Sequence, residues 1–273
     1  MYRLLRGLGG LLWATGVLAS PVPTLEQWKI TLPIDGDGNG RADEVFPASA
    51  GFHPPWFESQ GPRLVFRAHA GGARTSSGTA FARSELREMQ DGRLAAWSCA
   101  TSARSLLLEQ RLLATPPARP EVVIGQIHDA RNDNLMLKYV GSRGQAGQED
   151  KGRIEVLWNN ARQRQVLDAA YRLGDTMRVR LTLSAGVVRV SYRNLSHADA
   201  IEIEAPLGAA VGGCYFKAGL YLQACSLTDD GGVPNVACGK KGWAPERHDA
   251  PEAMGVLEIL DIQLGGEDDT RAQ

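Results

Sequence analysis

The sequence predicts an all-β protein, an antiparallel β-sandwich of jelly-roll type. From residue 24 onward the chain consists of short runs with period-two or continuous apolar character, which is typical of strands. Gly, Pro, Asn and Asp separate these runs, as turns require. No stretch has a convincing amphipathic helical pattern. Many short strands without helices fit two packed antiparallel sheets.

Twelve strands are predicted, each bounded by turn residues. Their ranges in chain order are 28–32, 63–68, 81–89, 105–113, 122–128, 134–140, 153–158, 177–183, 187–193, 200–205, 214–223 and 255–264. Short helices are expected at 24–27 and near 54–58, and the architecture depends on neither. The segment 141–152, rich in Gly and charged residues, is interpreted as a hairpin loop and not as a linker between domains.

The composition is that of one globular domain. Of 273 residues, 43% are hydrophobic and 22% are charged, and 30 basic residues face 31 acidic ones for a formal net charge of -1. A chain of this length buries roughly 70 to 75% of its unfolded surface, so one core suffices. Without excess positive charge, nucleic-acid binding loses its main electrostatic support. We expect a single domain over 20–273, a monomer with neither nucleic acid nor a membrane as partner.

The amino terminus resembles a signal peptide. Arg3 and Arg6 precede an uncharged apolar run at 8–19, which is too short to span a bilayer. Small residues at Val17 and Ala19 predict cleavage after Ala19, so 1–19 is expected to be removed. The alternative is a buried amino-terminal helix, which no cap or amphipathic period supports. We therefore expect a secreted or periplasmic protein.

Four cysteines would then lie where disulfides persist. They are Cys99, Cys214, Cys225 and Cys238, and they allow three full pairings. Cys225 with Cys238 is the preferred pair, because it would tie down the loop at 229–239. Their spacing fits no zinc pattern.

One loop has the spacing of a calcium site. Asp35-Gly-Asp-Gly-Asn-Gly offers oxygen ligands at its first, third and fifth positions, but Phe46 stands at the twelfth, where a bidentate Glu belongs. Asp43 and Glu44 are the substitutes available. A solvated turn is the favoured interpretation, because the same residue types serve turns.

Three predicted strands carry a polar face, since alternate side chains of a strand point the same way. The residues concerned are Arg83, Glu85 and Arg87 on the first, Gln126 and His128 on the second, and Tyr215, Lys217, Gly219, Tyr221 and Gln223 on the third. Taken singly, each set also has a purely structural interpretation. The first strand would carry a surface salt-bridge ladder, His128 would be a hydrogen-bonded structural histidine, and Tyr221 would be a packed aromatic residue. Taken together they suit a sheet that binds an anion and moves a proton.

These segments resemble a known family. Arg83-Ser-Glu-Leu-Arg-Glu, Gln126-Ile-His and Tyr215-Phe-Lys-Ala-Gly-Leu-Tyr-Leu-Gln are similar to the three signature segments of the polysaccharide lyase family 7 alginate lyases, and Trp28-Lys-Ile-Thr-Leu-Pro resembles the start of that domain. The likeness runs from about residue 24 to the last strand near Leu264. It implies a jelly roll whose concave groove binds 1,4-linked uronates. One departure is Leu222, where the family often has Asn.

The resemblance also implies roles. β-Elimination removes the C5 proton and then the C4 oxygen of a uronate, so a carboxylate must be neutralised and an enediolate stabilised. Arg83 and Gln126 match the positions for that task, and His128 either joins them or acts as base. Tyr221 matches the tyrosine that protonates the leaving oxygen, with a pKa expected to be lowered by nearby cations. Substrate-binding positions fall to Arg87, Lys217 and Gln223, while Glu85 orients the arginines. The scheme requires no metal or organic cofactor.

Stereochemistry leaves the base open. In mannuronate the C5 proton and C4 oxygen lie on one side, so Tyr221 can serve as base and acid; in guluronate they are opposed, which requires His128. Ile127, between Gln126 and His128, is similar to the residue at this position in family members that accept guluronate-containing blocks. Two alternatives stand beside an alginate lyase: a non-catalytic carbohydrate-binding jelly roll, and a lyase for another polyuronate such as glucuronan.

Overall fold

The computed structural model describes residues 25–143 and 150–266. Their strands are β1 Trp28–Thr31, β2 Glu44–Val45, β3 Phe57–Gln60, β4 Arg63–His69, β5 Arg83–Gln90, β6 Arg93–Leu94, β7 Arg104–Ala114, β8 Glu121–His128, β9 Asp133–Gly141, β10 Gly152–Trp158, β11 Gln163–Asp168, β12 Met177–Ser184, β13 Val187–Asn194, β14 Ala200–Pro206, β15 Tyr215–Leu222 and β16 Met254–Gly265. Helical segments are short: 3₁₀ turns at Leu25–Gln27, Ala48–Gly51 and Pro245–Arg247, and α1 at Val236–Gly239.

The strands form two antiparallel sheets. One follows the order β11-β10-β9-β8-β15-β5-β1-β2, with β6 paired to β5, and the other follows β14-β13-β12-β7-β16-β4-β3. Strands distant in sequence are neighbours, since β15 lies between β8 and β5. This is the predicted antiparallel sandwich.

The core lies between the sheets. Alternate residues of each strand point inward, so β15 buries Phe216, Ala218 and Leu220 while its intervening residues face outward. From the second sheet, Leu64 and Phe66 of β4 are fully buried in the same cluster. Because the inner faces take up the apolar residues, the outer face of the first sheet is left for polar side chains.

All twelve predicted strands are present, with ends shifted by at most two residues. Sequence reasoning missed β2, β3, β6 and β11, which are short or largely exposed and carry little apolar alternation. The helix expected near 54–58 is wrong. Phe57 instead begins β3, because its buried ring packs against Phe66 of β4 at a centroid distance of 5.0 Å. The short helix expected at 24–27 is confirmed from Leu25 onward as a single 3₁₀ turn.

Two disulfides join the cysteines. Cys225 pairs with Cys238, as predicted, and Cys99 pairs with Cys214. Strands β9 and β10 flank the segment predicted to be a hairpin loop, of which 144–149 lie outside the described residues. The predicted signal peptide at 1–19 also lies outside them. No helix in the described part of the chain is long and apolar enough to cross a membrane.

Candidate active site

The three strands with polar faces are adjacent in the first sheet. Across β15 and β5, Lys217 pairs with Arg87, and Tyr221 pairs with Arg83. Across β15 and β8, Lys217 also pairs with Gln126. Directly opposed residues of neighbouring strands point to the same side of a sheet, so one surface receives them all. We call this surface the polar face: Arg83, Glu85, Arg87, Gln126, His128, Tyr215, Lys217 and Tyr221.

Glu85 lies at the centre of the polar face and is only 1% exposed. Its carboxylate accepts a hydrogen bond from Arg83 Nη1 at 3.1 Å and contacts Lys217 Nζ and Gln126 Nε2. Burial would raise the pKa of Glu85, but Lys217 and Arg83 outweigh it, so this pKa lies below its ordinary value. An ionised carboxylate therefore fixes three donors from three strands.

Lys217 is the second buried ionisable group of the polar face. Burial, with Arg83 nearby, lowers the pKa of Lys217 to about 8, although Glu85 opposes the shift. The ammonium group is therefore charged at neutral pH and loses its proton more easily than an exposed lysine does.

Glycine at position 219 makes room for this arrangement. Gly219 has φ of 130° and stands opposite Glu85, where a β-carbon would lie 2.8 Å from the Ser84 carbonyl oxygen and 3.0 Å from the Glu85 Cα. Any side chain there would push the two strands apart or displace Glu85. A register shift between Ala218 and Tyr221 accompanies it.

Tyr221 lies under a guanidinium group. Arg83 Cζ stands 3.6 Å from the centroid of the Tyr221 ring, and Phe81 packs edge-on against that ring at 6.1 Å. Burial raises the pKa of Tyr221, and the opposing effect of Arg83 does not overcome it. The expected lowering is therefore wrong for the protein without substrate, and the phenol is protonated at neutral pH. Gln223, just beyond β15, is half-buried and its amide donates to the Leu222 carbonyl at 3.0 Å.

His128 is held by groups at both ring nitrogens. Its Nδ1 contacts the Asp129 carbonyl oxygen, an acceptor, so Nδ1 carries a proton and Nε2 is the basic atom. Nε2 lies 3.3 Å from Asp133 Oδ1, and the Tyr215 hydroxyl lies 3.1 Å from Nδ1. When Nε2 carries a proton it donates to Asp133, and this hydrogen bond holds the pKa of Asp133 below its ordinary value; without that proton, Nε2 has a free lone pair and can act as a base. Sequence reasoning missed Asp133, because it starts β9 and no motif includes it; Tyr215 was on the predicted polar face without a role.

Arg87 departs from the expected arrangement. Glu85 was expected to orient both arginines, but of the two it contacts only Arg83. The Arg87 guanidinium instead stacks on the Tyr215 ring at 3.9 Å. Arg83 and Arg87 each lie two residues from Glu85, about 7 Å away along the strand in opposite directions. The Glu85 carboxylate contacts Arg83 together with the cross-strand neighbours Lys217 and Gln126. The Nε atoms of Arg83 and Arg87 and the Oε1 atom of Gln126 are buried without a hydrogen-bond partner. The polar face thus holds unused hydrogen-bonding capacity beside fixed positive charge.

The loop with calcium-like spacing forms a turn. Asp35 accepts hydrogen bonds from the backbone amides of Asn39 and Gly40 at 2.9 and 2.8 Å, which fix the shape of the loop. Asp35, Asp37 and Asp43 bring carboxylate oxygens within 4.8 Å of one another, the only such acidic or metal-ligating group in the described ranges. Glu44, the other proposed substitute, pairs instead with Lys29 at 2.6 Å.

Comparison of the sequence with models of known families gives a match. A family model described as alginate lyase matches residues 24–241, most of the chain. The chain belongs to the alginate lyase family. All three segments that carry the polar face lie within the matched residues.

Known proteins agree with this membership. The alginate lyase AlgAT5 of polysaccharide lyase family 7 is 28% identical, with a TM-score of 0.66 over 92% of this chain and 99% of that one. Alginate lyase structures from Corynebacterium sp. and Klebsiella pneumoniae, 24% and 18% identical, share the fold with TM-scores of 0.67 and 0.70, covering 89% and 90% of this chain and 96% and 97% of theirs. A curated alginate lyase of Klebsiella pneumoniae is 39% identical over 69 residues, which is 24% of this chain and only 22% of that protein.

Proposed function

We propose that this member of the alginate lyase family cleaves 1,4-linked uronate polymers, alginate in the first place, by β-elimination that leaves an unsaturated uronate end. The observation that carries the proposal is the meeting of Arg83, Gln126, His128 and Tyr221 on one face around the ionised Glu85. Guanidinium, amide, imidazole and phenol groups are the set that this reaction needs.

The first task is to make the C5 proton acidic. That proton is barely acidic while the neighbouring carboxylate is charged, and negative charge grows on the carboxylate as the proton leaves. Arg83 offers a planar guanidinium and Gln126 a second amide hydrogen beyond the one given to Glu85. Because Glu85 fixes both groups before substrate arrives, they stabilise the developing enediolate without reorganising.

The second task is to move two protons. Tyr221 is protonated in the free protein, since burial raises its pKa, so it donates to the C4 oxygen as that bond breaks. On mannuronate the order is different: Tyr221 must first lose its own proton, a loss that the adjacent Arg83 favours, and the phenolate then takes the C5 proton and passes it to the C4 oxygen as that bond breaks. On guluronate, where that proton lies on the opposite side of the ring, His128 Nε2 is the base. Arg87, Lys217 and Gln223 bind carboxylates and hydroxyls of neighbouring uronates.

The proposal also covers where the protein acts and in what state. We infer a secreted or periplasmic monomer whose leader, residues 1–19, is removed, and whose partner is an anionic polysaccharide and neither nucleic acid nor a membrane. Two disulfides support an oxidising compartment. Sequencing the amino terminus of the exported protein tests the leader: Ser20 is expected first, and a retained Met1 contradicts it.

One assay tests the activity. The purified protein is incubated with polymannuronate, polyguluronate and glucuronan while the ultraviolet absorbance of unsaturated uronate ends is followed. Absorbance should rise with at least one alginate block. Tyr221→Phe, which removes only a hydroxyl, is the matched control and should fold normally with turnover at least about a hundredfold lower. A rise on glucuronan alone would identify another polyuronate lyase, and binding without any rise would identify a carbohydrate-binding protein.

A further inference from the structure

A second cluster of charges lies beyond the polar face. Glu121, the first residue of β8, is contacted by three cations from three parts of the chain: Arg119 Nη2 at 2.8 Å, Lys138 Nζ at 2.7 Å and Arg143 Nη2. We call Arg119, Glu121, Lys138 and Arg143 the Glu121 cluster.

The Glu121 cluster has more positive charge than its carboxylate can balance. Burial would raise the pKa of Glu121, but the surrounding cations outweigh it and hold the pKa below its ordinary value, so the carboxylate is ionised. One negative charge among three positive ones leaves an excess of two, in a chain whose formal net charge is -1. Arg143 lowers the pKa of Arg119 further after burial, which shows that the cations repel one another.

The cluster shares a surface with the catalytic candidates. Val123 of β8 pairs with Tyr221 of β15 on one side and with Lys138 of β9 on the other, so Tyr221 and Lys138 point to the same side of the sheet. Two strand spacings separate their backbones by about 10 Å. Arg119 Nε also donates to the carbonyl oxygen of Gln223, two residues after Tyr221, at 2.7 Å.

Donors and an aromatic ring remain available at the cluster. Arg119 Nη1 is buried without a hydrogen-bond partner, and its guanidinium stacks on the half-buried Trp243 ring at 4.1 Å. Trp243 stacks on Phe81 at 6.0 Å, and Phe81 in turn contacts Tyr221. Trp243 lies beyond residue 241, where the family match ends. An unbroken path of contacts therefore joins the Glu121 cluster to the catalytic tyrosine.

We propose that the Glu121 cluster is a separate carboxylate-binding subsite, in which Arg119, Lys138 and Arg143 hold a uronate of the bound chain away from the scissile bond while Glu121 keeps the three cations in place. The inference rests on the proposed function, because it takes a uronate polymer as the ligand. It makes affinity depend on chain length: a disaccharide on the polar face does not reach the cluster, whereas a hexasaccharide does.

Binding to uronate oligomers tests the subsite. The parent is Tyr221→Phe, whose expected loss of turnover slows cleavage of the oligomers during the measurement, and Lys138→Gln and Arg143→Gln are added to it singly. Calorimetry with uronate disaccharide and hexasaccharide should show hexasaccharide affinity reduced about tenfold in each, with disaccharide affinity within about twofold of the parent. Arg178→Gln is the control, because Arg178 pairs with Glu109 at 2.5 Å on the other sheet. It should change neither.

The outcomes separate the subsite from the activity. Unchanged hexasaccharide affinity, or an equal loss for both oligomers, overturns the subsite, since the second pattern is what a structural role would produce. If the variants lose affinity for the hexasaccharide but not for the disaccharide, and the wild type generates no unsaturated ends, the subsite is supported and the proposed lyase function is overturned. If the wild type generates unsaturated ends and hexasaccharide binding is unchanged in both variants, the lyase function is supported and the subsite is overturned.

Discussion

At the scale of single residues, the site depends on a carboxylate that is not itself a proposed proton donor or acceptor. Glu85 neutralises part of the charge of Arg83 and Lys217 while holding them and Gln126 in place. A buried charge is costly unless it is paired and hydrogen-bonded, and here both conditions are met. The bound substrate then competes with Glu85 for donors already in position.

His128→Ala should change block preference. Nδ1 donates to the Asp129 carbonyl, which leaves Nε2 as the base proposed for guluronate. We expect kcat/KM on polyguluronate to fall at least about a hundredfold and on polymannuronate much less, because Tyr221 is the residue proposed for both transfers there. The measurement is the ratio of kcat/KM on the two polymers, from which the active fraction cancels. An unchanged ratio would contradict the base assignment and leave His128 a carboxylate-binding role.

Lys217 should impose a pH dependence. Its pKa is lowered to about 8, so it is a cation below that pH and neutral above it. Lys217 is proposed to bind substrate carboxylates, which would lose a counter-charge when it is neutral. The value of kcat/KM, which reports the free enzyme, should therefore fall as pH rises through about 8. Lys217→Met should have a lower kcat/KM without this fall. If the variant shows the same inflection as the wild type, another group is responsible.

Alternation along a strand was enough to predict which side chains share a face, and all eight predicted site residues lie on or beside one surface. It could not predict their partners. Glu85 and Lys217 are 132 residues apart in sequence and meet only because β5 and β15 are neighbours, which no local pattern encodes. Asp133 was missed for the same reason, since its role comes from contact with His128 across the β8–β9 pair.

At the scale of elements, the strands predicted correctly are those that alternate in burial or are apolar throughout, and those missed are edge or two-residue strands. Strand β11 has four exposed residues in succession, so its pairing with β10 leaves no trace in the hydrophobic pattern. The preferred disulfide could be chosen because a short loop rich in turn residues needs a constraint. The Cys99–Cys214 pair instead joins segments 115 residues apart.

The two disulfides should differ in what their removal affects. Cys225 and Cys238 pack with Phe81 in a small cluster that contacts Tyr221, whereas Cys99–Cys214 lies in the main core. Loop closure predicts about 3 kcal/mol for a bridge over roughly 15 residues and about 4.7 for one over roughly 100. Replacing Cys99 and Cys214 by Ala should therefore lower Tm more, and the same change at Cys225 and Cys238 should lower kcat/KM more.

Thermal unfolding and kinetics on the two double variants decide the matter. The wild type treated with a reductant serves as reference for loss of both bridges. Equal effects on kcat/KM, or a larger kinetic loss without Cys99–Cys214, would contradict a role for the small cluster in placing Tyr221.

At the scale of the whole molecule, a nearly neutral chain separates its charges in space. The polar face and the Glu121 cluster place positive groups on one side of one sheet, while on the other sheet exposed cations such as Arg178 are paired with acids. A net charge near zero therefore disfavours nonspecific binding of nucleic acid and still allows one local cationic surface. The cations grouped on the polar face and in the Glu121 cluster fit the anionic polysaccharide proposed as the substrate.

Ionic strength should act on turnover and not on folding. Screening shortens the Debye length from about 10 Å at 0.1 M to about 3 Å at 1 M, so attraction between the cationic surface and a polyuronate weakens. We expect kcat/KM to fall roughly tenfold across that range, mainly through KM, because the buried groups around Glu85 are less screened than the approach of the polymer. Tm should change little, since exposed ion pairs contribute about 0–1 kcal/mol each. A kcat/KM that is flat in salt, or a fall in kcat alone, would show that the surface charge does not guide binding.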